Sequence, residues 1–167
     1  GQIVPDLRLL KIAEDYDEDS AEAINLLSLV NGKPTVIDFW STFCKYCPAG
    51  LTKLNELAGI HSDYNFVAVN IDDYEGSQQM ISDREEWQQI THVFAEESEK
   101  EIAMERVGLK ALPYYVLLNQ EGIVVKVGSK KEIDLDNLPG MFNQEQENTP
   151  PVENVTENFV FTTDEDF

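Results

Sequence analysis

Apolar residues of this chain fall into short runs with two different spacings. Continuous β-branched and aromatic runs predict buried strands at residues 35–40, 65–71 and 114–118. Between these strands, apolar residues recur at helical spacing and predict helices at 51–60 and 78–90. An alternation of strand and helix of this kind indicates an α/β fold.

The C-terminal part of the pattern adds an antiparallel hairpin. A short helix is predicted at 100–107, where Gly108 supplies a C-terminal stop signal. The strand at 114–118 then turns at Asn119–Gly122 into a further strand at 123–127. A last helix is predicted from about 131 to 142, interrupted by a Pro-Gly pair. Together, the elements predict a central mixed β-sheet flanked by helices.

The two ends of the chain differ from this pattern. Residues 1–31 contain an extended segment, an acidic loop and an apolar stretch at 21–30. Residues 144–167 carry seven acidic side chains, no Lys or Arg, and a Pro-Pro pair that breaks regular structure. We therefore expect one domain at 1–143 and an acidic C-terminal tail at 144–167. The apolar segment 159–161 leaves open whether part of this tail is ordered.

The composition is strongly acidic, with 32 Asp and Glu against 12 Lys and Arg and a net charge of −20. Such a charge repels phosphates and anionic headgroups, which argues against nucleic acid and anionic membranes as partners. It is consistent with simple solubility or with a cationic partner. The apolar runs are all shorter than the roughly 18 residues that a membrane helix requires.

Cys44 and Cys47 are the two cysteines of the chain, and they lie where the strand at 35–40 passes into the following helix. A helix N-terminus stabilises a thiolate, so this position favours thiol–disulfide exchange. The alternative is a pair of small buried hydrophobic residues. His61 and His92 do not have the spacing of zinc ligands with this pair, and we expect surface or loop positions for both and no metal site.

Four segments together resemble the thioredoxin superfamily, and in particular its TlpA/ResA-like extracytoplasmic branch. They are the opening segment 1–7, the strand and dithiol at 32–47, the strand at 67–73, and the proline-containing segment at 107–118. The resemblance covers residues 1 to about 142. It implies a thioredoxin-like fold with an N-terminal extension.

The resemblance also implies roles for individual residues. Cys44 would be the attacking thiol, and Cys47 the more buried thiol that resolves the mixed disulfide. Pro113 would be cis, would pack against the disulfide and would keep metal ions from the thiols. The backbone of Leu112 would then pair with an extended substrate.

Asp38 interrupts the apolar strand six positions before Cys44, where thioredoxin has a buried acid. In that role it would have a raised pKa and would transfer a proton to or from the resolving thiol. The alternative is an acid at a strand edge that hydrogen-bonds a backbone group.

The chain departs from the family pattern around the dithiol. Phe43 replaces the usual Trp before the first cysteine, and Lys45-Tyr46 replaces the usual Gly-Pro or Pro-Pro. Ala68 lies where thioredoxin has a lysine. We expect Phe43, Lys45 and Tyr46 to contact the substrate. Lys45 is expected either to lower the pKa of the Cys44 thiol or to be an ordinary surface lysine.

The resulting hypothesis is a monomeric thiol–disulfide oxidoreductase that acts on protein thiols and disulfides, as a reductase, without an organic cofactor. It would work outside the cytoplasm, with its signal or anchor absent from this chain. A redox donor protein would reduce it again after each cycle, and a membrane-bound protein is one candidate for this donor. The alternative is a binding module on the same fold, such as a Cu(I) or haem-delivery chaperone.

Overall fold

The structure is a computed structural model that describes residues 1–147. A seven-stranded mixed sheet forms its centre, in the order β2-β1-β5-β4-β3-β6-β7. The strands are β1 Arg8–Lys11, β2 Ala23–Asn25, β3 Thr35–Trp40, β4 Asn65–Asn70, β5 Thr91–Phe94, β6 Tyr114–Leu118 and β7 Val124–Gly128. The helices are α1 Leu26–Val30, α2 Cys47–Ile60, α3 Tyr74–Ser82, α4 Glu97–Arg106 and α5 Leu138–Glu147.

Strand β3 lies inside the sheet, parallel to β4 on one side and antiparallel to β6 on the other. Strand β5 continues the parallel part next to β4, while β7 pairs antiparallel with β6. All residues of β3 and β6 are buried, which is typical of strands covered on both faces. The fold is therefore the α/β, thioredoxin-like arrangement that the sequence predicts.

The N-terminal extension forms an antiparallel pair of strands, β1 and β2, in which β1 also pairs with β5. The preceding residues run to the far side of the sheet, where Ile3 forms a bridge with Ile123. Leu7 and Leu9 belong to the main core, so the extension is part of the same unit as the sheet.

The helix predicted at 78–90 is wrong in its extent. Helix α3 begins earlier, where Asp73 accepts a hydrogen bond from the Gly76 backbone amide at 3.0 Å, and it ends at Ser82. A 3₁₀ turn at Glu85–Trp87 follows, and the sequence prediction misses strand β5. The chain turns here because the Trp87 side chain is fully buried and donates to Thr52 Oγ1 of α2 at 2.9 Å.

The apolar stretch at 21–30 is divided between β2 and α1. The last helix also differs from its prediction, since a 3₁₀ turn at Leu135–Asn137 precedes α5. Pro139 and Gly140 lie in the first turn of α5, where proline costs no hydrogen bond, so they start this helix and do not interrupt it. The domain boundary at 143 stays a prediction, and the acidic residues beyond 147 lie outside the described part of the chain.

Candidate active site

The two cysteines form a disulfide at the carboxyl end of β3. Cys47 is the first residue of α2, and Cys44 precedes the Tyr46 N-cap by two positions. Their Cα atoms are 5.3 Å apart. Pro48 occupies the first turn of α2, where its missing N–H leaves no helical hydrogen bond unmade. The dithiol thus lies at the positive end of a 14-residue helix.

The turn that carries Cys44 is fastened to the end of β4. Asp72 accepts hydrogen bonds from the Thr42 backbone amide at 3.0 Å and from the Thr42 hydroxyl at 2.6 Å. Within the turn, the Cys44 amide donates to the Ser41 carbonyl at 3.3 Å, and the Cys47 amide donates to the Cys44 carbonyl at 3.4 Å. These bonds fix the direction in which the chain leaves the sheet.

Pro113 lies beside this turn because of the register between β3 and β6. Phe39 pairs with Tyr114, so the residue before Tyr114 lies next to the end of β3. The Leu112–Pro113 peptide bond is cis. The Leu112 side chain is buried, and among the described residues none hydrogen-bonds to its backbone groups.

The disulfide is covered while the residues next to it are exposed. Cys44 is 3% exposed and Cys47 is fully buried, whereas Phe43 is 82% exposed and Tyr46 is 36% exposed. The ammonium groups of Lys45 and Lys130 lie 5.5 and 5.4 Å from the centre of the Tyr46 ring, in cation–π geometry. The outer surface of the site is therefore aromatic and locally cationic.

Asp38 is fully buried in the centre of the sheet, between Ala68 of β4 and Tyr115 of β6. Neither of its carboxyl oxygens has a hydrogen-bond partner among the described residues. Burial raises the pKa of Asp38 well above its usual range, because the charged form loses its solvation. The alternative prediction of a strand-edge acid with a backbone partner is wrong.

A narrow groove of about 190 Å³ opens beside the disulfide. Its lining includes Tyr46, Gly50, Pro113, Tyr115 and Lys130. Sequence reasoning misses Gly50 and Tyr115, since it treats the tyrosine as one more apolar strand residue. The signal was the glycine three positions after Cys47, which leaves the helix without a side chain on the face that carries the second cysteine.

The predicted surface or loop position is wrong for His92, whereas His61 lies in the loop that follows α2. His92 lies in β5, largely buried, and its Nε2 is 2.7 Å from the Trp87 carbonyl. Burial lowers its pKa, against a smaller opposite effect of that hydrogen bond. His61 is at the end of α2 and stacks on Tyr64. Among residues 1–147, no group of three or more His, Cys, Asp or Glu side chains could hold a metal ion.

The two tryptophans form part of the core behind the disulfide. Trp40, the last residue of β3, and Trp87 are both fully buried, and their rings meet edge to face with centroids 5.9 Å apart. Through Trp87, the segment between α3 and β5 packs on α2 and supports the helix that begins with Cys47.

A disulfide at the start of a helix, next to a cis proline and above a buried acid on this sheet, defines a thioredoxin-like thiol–disulfide oxidoreductase. Comparison with protein families gives the second step. Residues 1–143 match the Redoxin family model, and the chain belongs to the Redoxin family.

Individual relatives agree with this assignment. The thiol-disulfide oxidoreductase ResA of Oceanobacillus iheyensis is 24% identical over 146 residues, which cover 86% of this chain and 71% of that protein. A thiol:disulfide interchange protein from Bacteroides sp. has a similar structure, with a TM-score of 0.65, 18% identity and 94% of each chain covered. A secreted Mycobacterium tuberculosis disulfide oxidoreductase homologous to E. coli DsbE gives a TM-score of 0.59 and 19% identity, over 83% of this chain and 96% of that one.

Proposed function

We propose that this oxidoreductase reduces disulfide bonds in protein substrates outside the cytoplasm. The observation that carries the proposal is the surface around the disulfide. Phe43 and Tyr46 flank the cysteines and are exposed, and the buried Leu112, which precedes the cis proline, has a backbone to which no described residue hydrogen-bonds. An extended substrate segment can add to that backbone as a strand, while the two aromatic rings contact its side chains.

The reaction exchanges one disulfide for another. In the reduced protein, the Cys44 thiolate attacks a substrate sulfur, a mixed disulfide forms, and the other substrate sulfur leaves as a thiolate that takes up a proton. The Cys47 thiol then loses its proton and attacks Cys44. This second attack forms the Cys44–Cys47 disulfide, and the remaining substrate thiol is released. The substrate gains two electrons and two protons.

We propose Asp38 as the base for the second attack, a role that its burial beneath the helix that begins with Cys47 supports. Its pKa is raised by burial, so a proton from the Cys47 thiol can move to the carboxylate at moderate cost. Gly50, one turn after Cys47 on the same helix face, lies directly over this carboxyl group. We therefore assign Asp38 the proton transfer, Cys44 the attack and Cys47 the resolution.

Insulin reduction tests the proposed activity. The wild-type protein with a dithiol donor should precipitate insulin chains faster than the donor alone, and Cys44→Ser should remove that acceleration. Cys47→Ser should accumulate a mixed disulfide with a cysteine peptide, because the resolving thiol is missing. A wild type no faster than the donor alone, with both cysteines titrating as free thiols, would refute the proposal.

The reduction potential of the cysteine pair tests the direction. We expect a value in the reducing half of the range from thioredoxin's roughly −270 mV to about −120 mV, because the buried Asp38 and the ResA-like relatives outweigh the cation of Lys45, whose ammonium group lies over the Tyr46 ring. Equilibration with glutathione buffers of known potential gives this number. A potential above about −170 mV would make the protein an oxidant instead.

The cellular setting belongs to the same proposal. It is supported by the secreted Mycobacterium tuberculosis disulfide oxidoreductase among the proteins of similar structure. Separately, no helix within residues 1–147 is long and apolar enough to cross a membrane. A reductase outside the cytoplasm needs a donor of electrons, for which we propose a membrane-bound thiol protein. Trapping of the Cys44 and Cys47 thiols in fractionated cells tests the location. The same measurement in cells that lack the membrane-bound thiol protein tests the donor. No specific observation in the described residues favours the chaperone alternative.

A further inference from the structure

Helix α2 has a glycine, Gly50, over the Asp38 carboxyl group, where a larger side chain would block access to it. A Cβ atom placed on Gly50 would lie 2.9 Å from the Tyr115 hydroxyl and 3.7 Å from Asp38 Oδ2. The first distance is closer than real Cβ contacts, and the second is ordinary contact. Both oxygens thus face the same small space, which exists because residue 50 is a glycine.

This space adjoins the groove beside the disulfide. Gly50 and Tyr115 line the groove, and so do Tyr46 and Pro113, which border the cysteines. The Tyr115 side chain is otherwise buried in β6, directly opposite Asp38 in the sheet register. The tyrosine therefore connects the interior, where the carboxyl group lies, with the opening on the substrate side.

We propose that Gly50 and Tyr115 form the proton route between Asp38 and the solvent in the groove, with one water molecule joining the Tyr115 hydroxyl to the carboxyl group. This inference rests on the proposed function and names two positioning residues for it. A bridging water requires at least two polar partners, and the Tyr115 hydroxyl and Asp38 Oδ2 both lie within 3.7 Å of the point where a Cβ atom of residue 50 would be.

The route completes the proton balance of the exchange. Asp38 receives one proton from the Cys47 thiol when the mixed disulfide is resolved, and it must release that proton before the next cycle. The carboxyl group passes its proton to the water, the water passes one to the tyrosine oxygen, and the tyrosine O–H gives its own proton to the groove. Tyr115 ends in the state in which it began, so its own high pKa is no obstacle.

Other titratable groups around Asp38 are few. On α2 they are Cys47 and, at the groove, Lys53, whose ammonium group pairs with Asp136. Tyr115 faces Asp38 from β6, and Lys130 lies at the groove beyond β7. β4 contributes only Ala68 opposite Asp38. The pKa of Tyr115 is raised by burial and, to a smaller extent, by the negative charge of the nearby Asp38 carboxylate.

The test compares two variants with matched controls. Gly50→Ala fills the space with a methyl group, and Tyr115→Phe removes the hydroxyl without changing the ring. Gly59→Ala makes the same change in an exposed turn of α2, where the nearest heavy atom is Gln89 Oε1 at 3.3 Å. Tyr114→Phe removes the neighbouring hydroxyl, which donates to the Val107 carbonyl instead.

The measurement is the steady-state rate at which each protein, recharged by a dithiol donor, reduces a disulfide peptide, from pH 5 to pH 9, in H₂O and D₂O. Gly50→Ala and Tyr115→Phe should slow this turnover by roughly tenfold, within the roughly 10²–10⁴-fold that acid–base catalysis contributes in total. Their solvent isotope effect should rise, and neither should slow the reaction further in an Asp38→Asn background. Gly59→Ala and Tyr114→Phe should keep the wild-type pH profile.

Three results would overturn the inference. The first is an unchanged rate in both variants. The second is a rate lowered equally at every pH without an increased isotope effect. The third is a double variant with Asp38→Asn whose rate is lower than that of Asp38→Asn alone. Each leaves the proposed function intact as long as the wild type reduces insulin and Cys44→Ser does not. If Gly50→Ala fails to fold, Tyr115→Phe alone decides the question.

Discussion

Asp38 is the residue whose environment departs most from what a folded protein ordinarily provides. A carboxyl group without a hydrogen-bond partner in the middle of a sheet destabilises the fold whenever it is ionised. Nothing in the packing requires an acid here, because the flanking positions on β3 are apolar. The chain therefore retains a destabilising group at a position that serves the proposed chemistry.

The stability of the oxidised protein should reflect this. Because the pKa of Asp38 is higher in the folded than in the unfolded protein, its contribution is most favourable at low pH and is lost as pH rises towards the folded pKa. Relative to Asp38→Asn, the wild type should lose up to about 1.4 kcal/mol per pH unit over that interval. Urea unfolding at pH 5 and pH 8 measures the difference. Parallel losses in both proteins would contradict it.

At the scale of elements, the active-site turn depends on an acid from a neighbouring strand. Asp72, just after β4, holds Thr42, just after β3, so the ends of two parallel strands fix where Cys44 lies. The sequence shows the two strands and the acid, but not their pairing.

Asp72→Ala should therefore loosen the turn more than it affects the sheet. Hydrogen bonds to charged groups contribute about 1.5–3 kcal/mol, and that is the loss of protection we expect at the Cys44 amide by hydrogen exchange. The amides of β3 should exchange as in the wild type. Asp63→Ala, which removes an acid from the loop before β4, is the control and should leave the turn unchanged. Equal loss of protection in β3 and the turn would indicate a global effect instead.

An element can be predicted from the sequence when the residues that define it are neighbours in the chain. Strands β3 and β6 are predicted because continuous apolar runs mark strands buried on both faces. Strand β5 is missed because its first two residues, Thr91 and His92, are polar and follow a helix-like run. Cys44 and Cys47 are singled out by their spacing in the chain, whereas Asp38 and Pro113 are singled out by the resemblance to the thioredoxin superfamily. Gly50 and Tyr115 are not, since Tyr115 meets Asp38 through the register of β6 against β3, and Gly50 meets both through the packing of α2 on the sheet.

For the whole molecule, charge is the dominant property. With 32 acidic and 12 basic side chains, the protein attracts cationic partners at long range, although Lys45 and Lys130 make the surface next to the disulfide locally positive. Long-range attraction is screened by salt, whereas contacts at the site are not screened to the same degree.

Two disulfide peptides that differ only in flanking Lys or Glu residues should show this. Between about 0.01 M and about 0.5 M ionic strength, kcat/KM for the basic peptide should fall by roughly tenfold and that for the acidic peptide should rise. Stopped-flow kinetics at fixed pH measure both. The same salt response for the two peptides would mean that the net charge serves solubility alone.

The acidic residues beyond the described part of the chain should not be needed for exchange. The described residues 1–147 contain a complete seven-stranded sheet with the disulfide, and the family match ends at 143. A variant lacking 148–167 should reduce insulin at the wild-type rate and unfold at the same urea concentration. Loss of activity with an unchanged unfolding midpoint would instead assign the tail a direct role.

The arrangement at the two edges of the sheet bears on self-association. Strand β2, at one edge, has only three residues, and at the other edge the bridge between Ile3 and Ile123 covers the start of β7. Short or covered edges discourage a second copy from adding its own strand, which supports the predicted monomer. The Leu112 backbone has no hydrogen-bond partner among the described residues. We therefore expect an extended substrate to pair at the active site, while the edges of the described sheet offer little to a second copy of the chain.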